Sequence, residues 1–119
     1  MIYKKSNRDN RLADRAVEFI LTRDTGELRT LTEEKIAKTL EVKSSHLAET
    51  FKIQQCIPLD RFITREKIHR AVFILEKDHS ISIEALSKKL GFPRLKDFVM
   101  EFEHYLLIDP HRYKEIRTV

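Results

Sequence analysis

The sequence predicts an all-α protein: two helix-turn-helix subdomains joined by a long linker helix, about seven helices in all. Three observations carry that expectation. Among 119 residues there are only 2 Gly and 3 Pro, so turn and strand signals are sparse and helices are favoured. Apolar residues recur at spacings of three and four rather than two. The third observation is an internal repeat, in which a short helix, a tight turn and a longer helix occur twice.

Residues 1–10 are polar and basic and are expected to fray. From Arg11 onward, Leu12, Ala16, Phe19 and Ile20 fall at helical spacing, which predicts a first helix to about Thr22. "RDTGEL" breaks it, with Gly26 as the turn residue. Thr32 offers a hydroxyl to cap free amides, and Glu33 and Glu34 favour the positive helix end, so a short helix is expected over 33–40. A second helix should run from about Ser44 to Gln54. "CIPLD" interrupts, and a longer helix over about 59–77 should bury Leu59, Phe62, Ile63, Ala71, Val72, Ile74 and Leu75 at its two ends. After "DHS" come a short helix over 83–90, the turn "GFP" and a helix over 94–106. Asp109 as cap and Pro110 at the first helical position predict a last helix to Arg117. The expected organisation is residues 1–30 as N-terminal segment and first helix, 31–56 as first helix-turn-helix, 57–78 as linker helix, and 79–119 as second helix-turn-helix with a C-terminal helix.

Setting Ala37 on Ser87 (87 − 37 = 50) aligns Leu31 with Ile81, Thr32 with Ser82, Glu34 with Glu84, Ile36 with Leu86, Leu40 with Leu90 and Val42 with Phe92. After the turn the second copy carries one extra residue, so Leu47 meets Phe98 and Phe51 meets Phe102. Each copy places a small residue, Ala37 or Ser87, four positions before the turn residue, Glu41 or Gly91. Two helices crossing steeply need that small side chain, and the tight turn wants a positive φ, which Gly adopts freely. Glu41 in the same conformation costs roughly 1 kcal/mol. The linker helix, at about 1.5 Å per residue, is about 28 Å long and close to one DNA turn of about 34 Å, so one chain can address two successive major grooves.

Lys+Arg number 23 against 19 Asp+Glu, a net charge of +4, an excess that permits a polyanionic partner without demanding one. Cys56 stands alone, which excludes an internal disulfide and suits a reducing cytoplasm. The longest apolar runs, such as "AVFIL", fall far short of the roughly 20 residues of a membrane span, so no membrane partner is expected. "MIYKKSNRDNR" shows no apolar stretch of a secretory signal.

Three segments, "LTEEKIAKTLEVKSSHLAETFK", "DRFITREKIHRAVFIL" and "SIEALSKKLGFPRLKDFVMEFEHYLLIDPHRYKEIR", resemble the DNA-binding domain of the AraC/XylS family of bacterial transcription regulators. The resemblance spans about residues 30–117, and Gly91, Phe92, Phe98, Phe102, Pro110 and Tyr113 fall on the family's signature. It implies a bi-lobed all-α domain that binds double-stranded promoter DNA, as monomer or dimer, and recruits RNA polymerase. Most members also carry a ligand-sensing or dimerising domain; no small-molecule ligand domain is visible here.

With Leu47, Thr50 and Phe51 turned to the core, the opposite face of the first recognition helix carries Ser45, Ala48, Glu49 and Lys52, with His46 at its edge. Ser45, His46, Ala48 and Glu49 are the base-reading candidates. The family often places arginine where Glu49 stands; glutamate can instead accept from a cytosine amino group, while facing the phosphates with the wrong sign. In the second helix Phe98, Phe102 and Tyr105 face inward, leaving Leu95, Lys96, Val99, Met100 and Glu103 outward. Leu95, Lys96, Val99 and Met100 are the reading candidates there. They suit thymine methyls and equally suit a protein partner. Met100 holds the second common arginine position, Glu103 replaces a usual lysine, and Leu107 stands where the family usually has glycine. Lys43, Ser44, Lys52, Arg61, Arg65, Lys67 and Arg94 are the phosphate candidates; Arg65 and Arg70 have a structural alternative in pairs with Glu66 or other carboxylates.

Five histidines (46, 69, 79, 104, 111) and Cys56 are scattered without metal-ligand spacing, and there is neither a Gly-rich phosphate loop nor a nucleophile beside a base. No enzyme activity, catalytic residue, metal or cofactor is therefore expected. Two functions remain open: a sequence-specific transcription regulator reading mainly through its first unit, or an interaction module that keeps the fold, has lost DNA reading, and acts on another regulator or on RNA polymerase.

Overall fold

The computed structural model describes residues 2–118, and the side chains of 11–117. Among the described residues eight helices follow one another: α1 (Ile2–Leu21), α2 (Thr25–Arg29), α3 (Glu33–Thr39), α4 (Ser44–Gln55), α5 (Leu59–Lys77), α6 (Ile83–Lys89), α7 (Leu95–Leu106) and α8 (Pro110–Thr118). The all-α expectation holds, with two corrections. Helix α1 starts at Ile2 rather than Arg11. The "RDTGEL" break contains the extra helix α2, which makes the helices eight rather than about seven.

The N-terminal end of helix α2 is satisfied locally. The Asp24 carboxylate accepts the Glu27 backbone N–H at 2.8 Å, and the Glu27 carboxylate accepts the Asp24 N–H at 3.3 Å, a reciprocal capping box. Leu28 gives this five-residue helix one fully buried anchor.

The repeat is reproduced bond for bond. Thr32 and Ser82 each cap the following helix through a hydroxyl, to the N–H of Lys35 at 3.2 Å and of Ala85 at 3.0 Å. Helices α3 and α6 have seven residues each, and α4 and α7 twelve. At the first turn Glu41 N–H donates to Lys38 and Val42 N–H to Ala37; at the second, Gly91 N–H donates to Lys88 and Phe92 N–H to Ser87. Both are Schellman endings, which need a left-handed residue just past the helix. Gly91 supplies it at φ 84°, and Glu41 adopts it at φ 59°. Helices α4 and α7 also end alike, on left-handed Cys56 and Leu107, both at φ 59°. Leu107 thus forms the turn where a glycine is usual.

The chain divides into two compact units, one of residues 1–23 and 31–63, the other of 24–30 and 64–119. In the first, Leu12, Ala13, Ala16 and Ile20 of α1, Ile36 and Ala37 of α3, Leu47 and Phe51 of α4, and Leu59, Phe62 and Ile63 of α5 are buried, with α1 packed on α4. Phe51 and Phe62 meet edge to face at 5.4 Å between centroids. Glu33 accepts the backbone N–H of Asp60 at the start of α5, and burial together with the Asp60 charge raises its pKa.

The second unit is built around Ile68, Ala71 and Leu75 of α5, Ile83, Leu86 and Leu90, and Phe98 and Phe102 of α7. A chain of edge-on rings runs from Phe92 through Phe98 and Phe102 to Tyr113. Helix α8 is held by Asp109, whose carboxylate accepts the His111 N–H at 2.7 Å, and by Lys114, which donates to the Ile81 carbonyl at 2.6 Å. Arg117 pairs with Glu76 at 3.1 Å.

Candidate nucleic-acid interface

In each unit the second helix of the pair offers one face to solvent. Along α4, burial of Leu47, Thr50 and Phe51 leaves Lys43, Ser45, His46, Glu49 and Lys52 exposed, with Ser44 and Ala48 half-buried. All seven sequence candidates of this helix therefore share one accessible element. Ile53, 70% exposed, joins that surface and was not among the candidates. Its signal was its position, one turn after Glu49 and on the side away from Phe51.

The candidates of α7 are arranged in the same register. Adding 51 to the numbers of α4 pairs Ser45 with Lys96, Glu49 with Met100, Lys52 with Glu103 and Cys56 with Leu107. Lys96 and Met100 are exposed, Met100 by 58%, while Val99 is half-buried beside it. Leu95, only 37% exposed, stands at the edge of this face and lines a cavity of about 500 Å³ with Ile83, His111 and Lys114. Leu107 is 88% exposed.

Neither helix has a side-chain cap at its start: Lys43 and Arg94 occupy the capping positions in extended conformation, and their side chains make no capping bond. By contrast α2, α3 and α6 are capped by Asp24, Thr32 and Ser82. A basic residue at the positive end of a helix is unfavourable for the isolated fold and attractive to an anion. Arg94 forms a surface pair with Asp97 at 3.1 Å, whose hydrogen bonds and charge raise the arginine pKa.

The basic candidates of α5 fare differently from one another. Arg61 and Arg65 are half-buried and already have interaction partners. Lys67 is half-buried within the second unit, donates to the Arg29 carbonyl at 3.5 Å and lies 5.6 Å from the centroid of Phe92. Burial, and then the Arg29 charge, lower its pKa. Arg70 takes the structural alternative, pairing with Glu66 at 2.8 Å.

Arg29 was not legible as part of this apparatus. Its Nε donates to the Lys88 carbonyl at 2.9 Å, which ties α2 to the end of α6. A Cβ on Gly91 would stand 2.2 Å from the Arg29 carbonyl oxygen, so glycine is demanded here twice, by φ and by that approach. The turn before α7 is thus braced by a helix outside the repeat, and the repeat carries no trace of it.

Among the described residues no three His, Cys, Asp or Glu side chains come together as a metal site would require, and no helix is long and apolar enough to cross a membrane.

Two helix-turn-helix units with equivalent hydroxyl caps, Schellman turns and equal helix lengths define a double helix-turn-helix domain. No family profile and no curated protein sequence matches the chain. Solved structures do. The C-terminal domain of AraT, a response regulator from Geobacillus stearothermophilus, superposes with a TM-score of 0.75 at 21% identity, over 89% of this chain and 85% of that one. A DNA-binding transcriptional dual regulator from Escherichia coli K-12 gives 0.74 at 20% identity, over 90% and 92%. The C-terminal domain of the two-component response regulator yesN from Fusobacterium nucleatum gives 0.71 at 20% identity, over 85% and 95%. The AraC/XylS resemblance in the sequence is thus matched by a likeness of fold across most of the chain.

Proposed function

We propose that the chain is a non-enzymatic transcription regulator that binds double-stranded promoter DNA, with α4 as the main reader, acting in the cytoplasm with RNA polymerase as a further partner. The observation that carries this reading is the pair of register-matched helices, each with an open face, a basic residue at its uncapped start and a buried opposite side. The fold shared with a DNA-binding regulator supports it. On α4, Ser45, His46, Ala48 and Glu49 meet base edges, with Glu49 accepting from a cytosine amino group. Lys43, Ser44, Lys52, Arg61, Arg65 and Arg94 contact phosphates; Lys67 contributes least, because its ammonium is committed within the second unit.

The test is selection from a random duplex pool at moderate salt, followed by sequencing. A retained motif with a preferred C·G pair is expected. Glu49→Arg should shift that pair toward guanine on the contacted strand with discrimination of roughly 1–3 kcal/mol. The control is Glu18→Arg, the same charge change on the exposed face of α1 opposite Leu12, Ala16 and Ile20. Equal gains from the two variants without base preference would remove α4 as a reader. The exposed apolar residues Ile53, Met100 and Leu107 favour the second reading, an interaction module, and a pool that retains no DNA would establish that reading's premise.

A further inference from the structure

We propose that α7 reads thymine through its methyl group, with Met100 as the specificity-determining side chain and Val99 beside it. This rests on the DNA-binding reading above and adds the base class addressed by the second unit. In a helix-turn-helix, residues in the first half of the second helix approach base edges. On α4 that place holds Glu49, a hydrogen-bonding group. The register match puts Met100 at the same place on α7, exposed by 58%. Met100 offers neither a donor nor a charge to read guanine or cytosine. What the major groove offers an apolar side chain is the thymine C5-methyl. An unbranched thioether with three rotors can follow that methyl closely. Val99, one residue earlier and half-buried, supplies a rigid branched wall beside it.

Charge on this face favours a short-range apolar contact over electrostatic attraction. Lys96 and Glu103, both exposed, cancel on the outward side, and Asp97 is tied to Arg94. Beyond Arg94 at its start, helix α7 therefore gains little from phosphates, and the preference set by Met100 should hardly depend on salt. The lysines of α4 are the salt-sensitive part.

The experiment uses the full chain and a duplex recovered from the random pool. Each thymine is replaced in turn by deoxyuridine, which removes the methyl and nothing else, and binding is followed by fluorescence anisotropy at two salt concentrations. One or two positions should lose about three- to fivefold in affinity, the worth of one buried methyl, equally at both salts. Met100→Ala should weaken the thymine duplex and abolish the difference between thymine and uracil, while Met100→Leu should restore it. The exposed position of Met100 leaves the fold intact, which a thermal melt checks. Uniform affinity across all uracil duplexes, or a uracil loss unchanged in Met100→Ala, overturns the proposal while DNA binding stands. No retained duplex at all overturns both readings together.

Discussion

At the scale of single residues, the left-handed turn positions separate conformational cost from packing. Glu41 and Leu107 both hold φ 59° while exposed, so a glycine there removes strain and leaves the buried packing untouched. Glu41→Gly and Leu107→Gly should each stabilise the protein by up to about 1 kcal/mol in denaturant melts, the left-handed cost less the added entropy of a glycine in the unfolded chain. Gly91→Ala should do the opposite, by roughly 2–4 kcal/mol, because its Cβ meets the Arg29 backbone rather than a yielding side chain. Lys67 gives a pH signature. Burial and the neighbouring Arg29 lower its folded pKa below the unfolded value of about 10.4, so between the two the unfolded chain holds a proton that the folded chain lacks. Stability due to this group should rise with pH through that alkaline window. Tyr113, whose pKa burial and Glu76 raise, pulls the other way at the upper end. Melts of the wild type and Lys67→Met from about pH 8 to about pH 10 share the tyrosine effect, and their difference should isolate the lysine.

At the scale of elements, the capping box of α2 makes a prediction about place. Asp24→Ala should cost about 0.5–2 kcal/mol, and the reduced protection from hydrogen exchange should fall on α6 and α7 rather than on α3 and α4. Equal loss in both units would mean that α2 does not belong to the second alone. Helix α2 also marks where the sequence stopped being readable. The repeat made α3, α4, α6 and α7 legible, because burial forces Ile36, Leu47 and Phe51 to recur as Leu86, Phe98 and Phe102. Helix α5, expected over about 59–77, runs from Leu59 to Lys77. Five residues around Gly26 carry too little apolar period to register, and their helix depends on the Asp24–Glu27 box and on Arg29 reaching Lys88, 59 positions away. The box was nevertheless present as a D-x-x-E spacing. The side chains proposed to read bases are a different case. Folding leaves Glu49 and Met100 in solvent, so the pattern that fixes the core places no constraint on them.

At the scale of the whole molecule, the small net charge of +4 hides an uneven task. Lys43 and Lys52, both exposed on the helix proposed to read, should supply much of the electrostatic affinity. Neutralising both to Gln should weaken every duplex alike and lower the slope of log affinity against log salt by about two units, near 0.9 for each phosphate left without its lysine. A changed base preference with an unchanged slope would contradict that role. The path of the chain through its two units sets a further limit. It passes between them after Arg23, after Thr30 and within α5 after Ile63. A truncation starting at Leu31 would keep both helix-turn-helix pairs intact on paper. It would also strip α1, with buried Ala16 and Ile20, from one unit and α2, with buried Leu28, from the other. Deletion mapping would then score a loss of function for the missing segment when the true defect is two opened cores. Neither half can be excised by one cut, so the two helix-turn-helix pairs are kept or lost together.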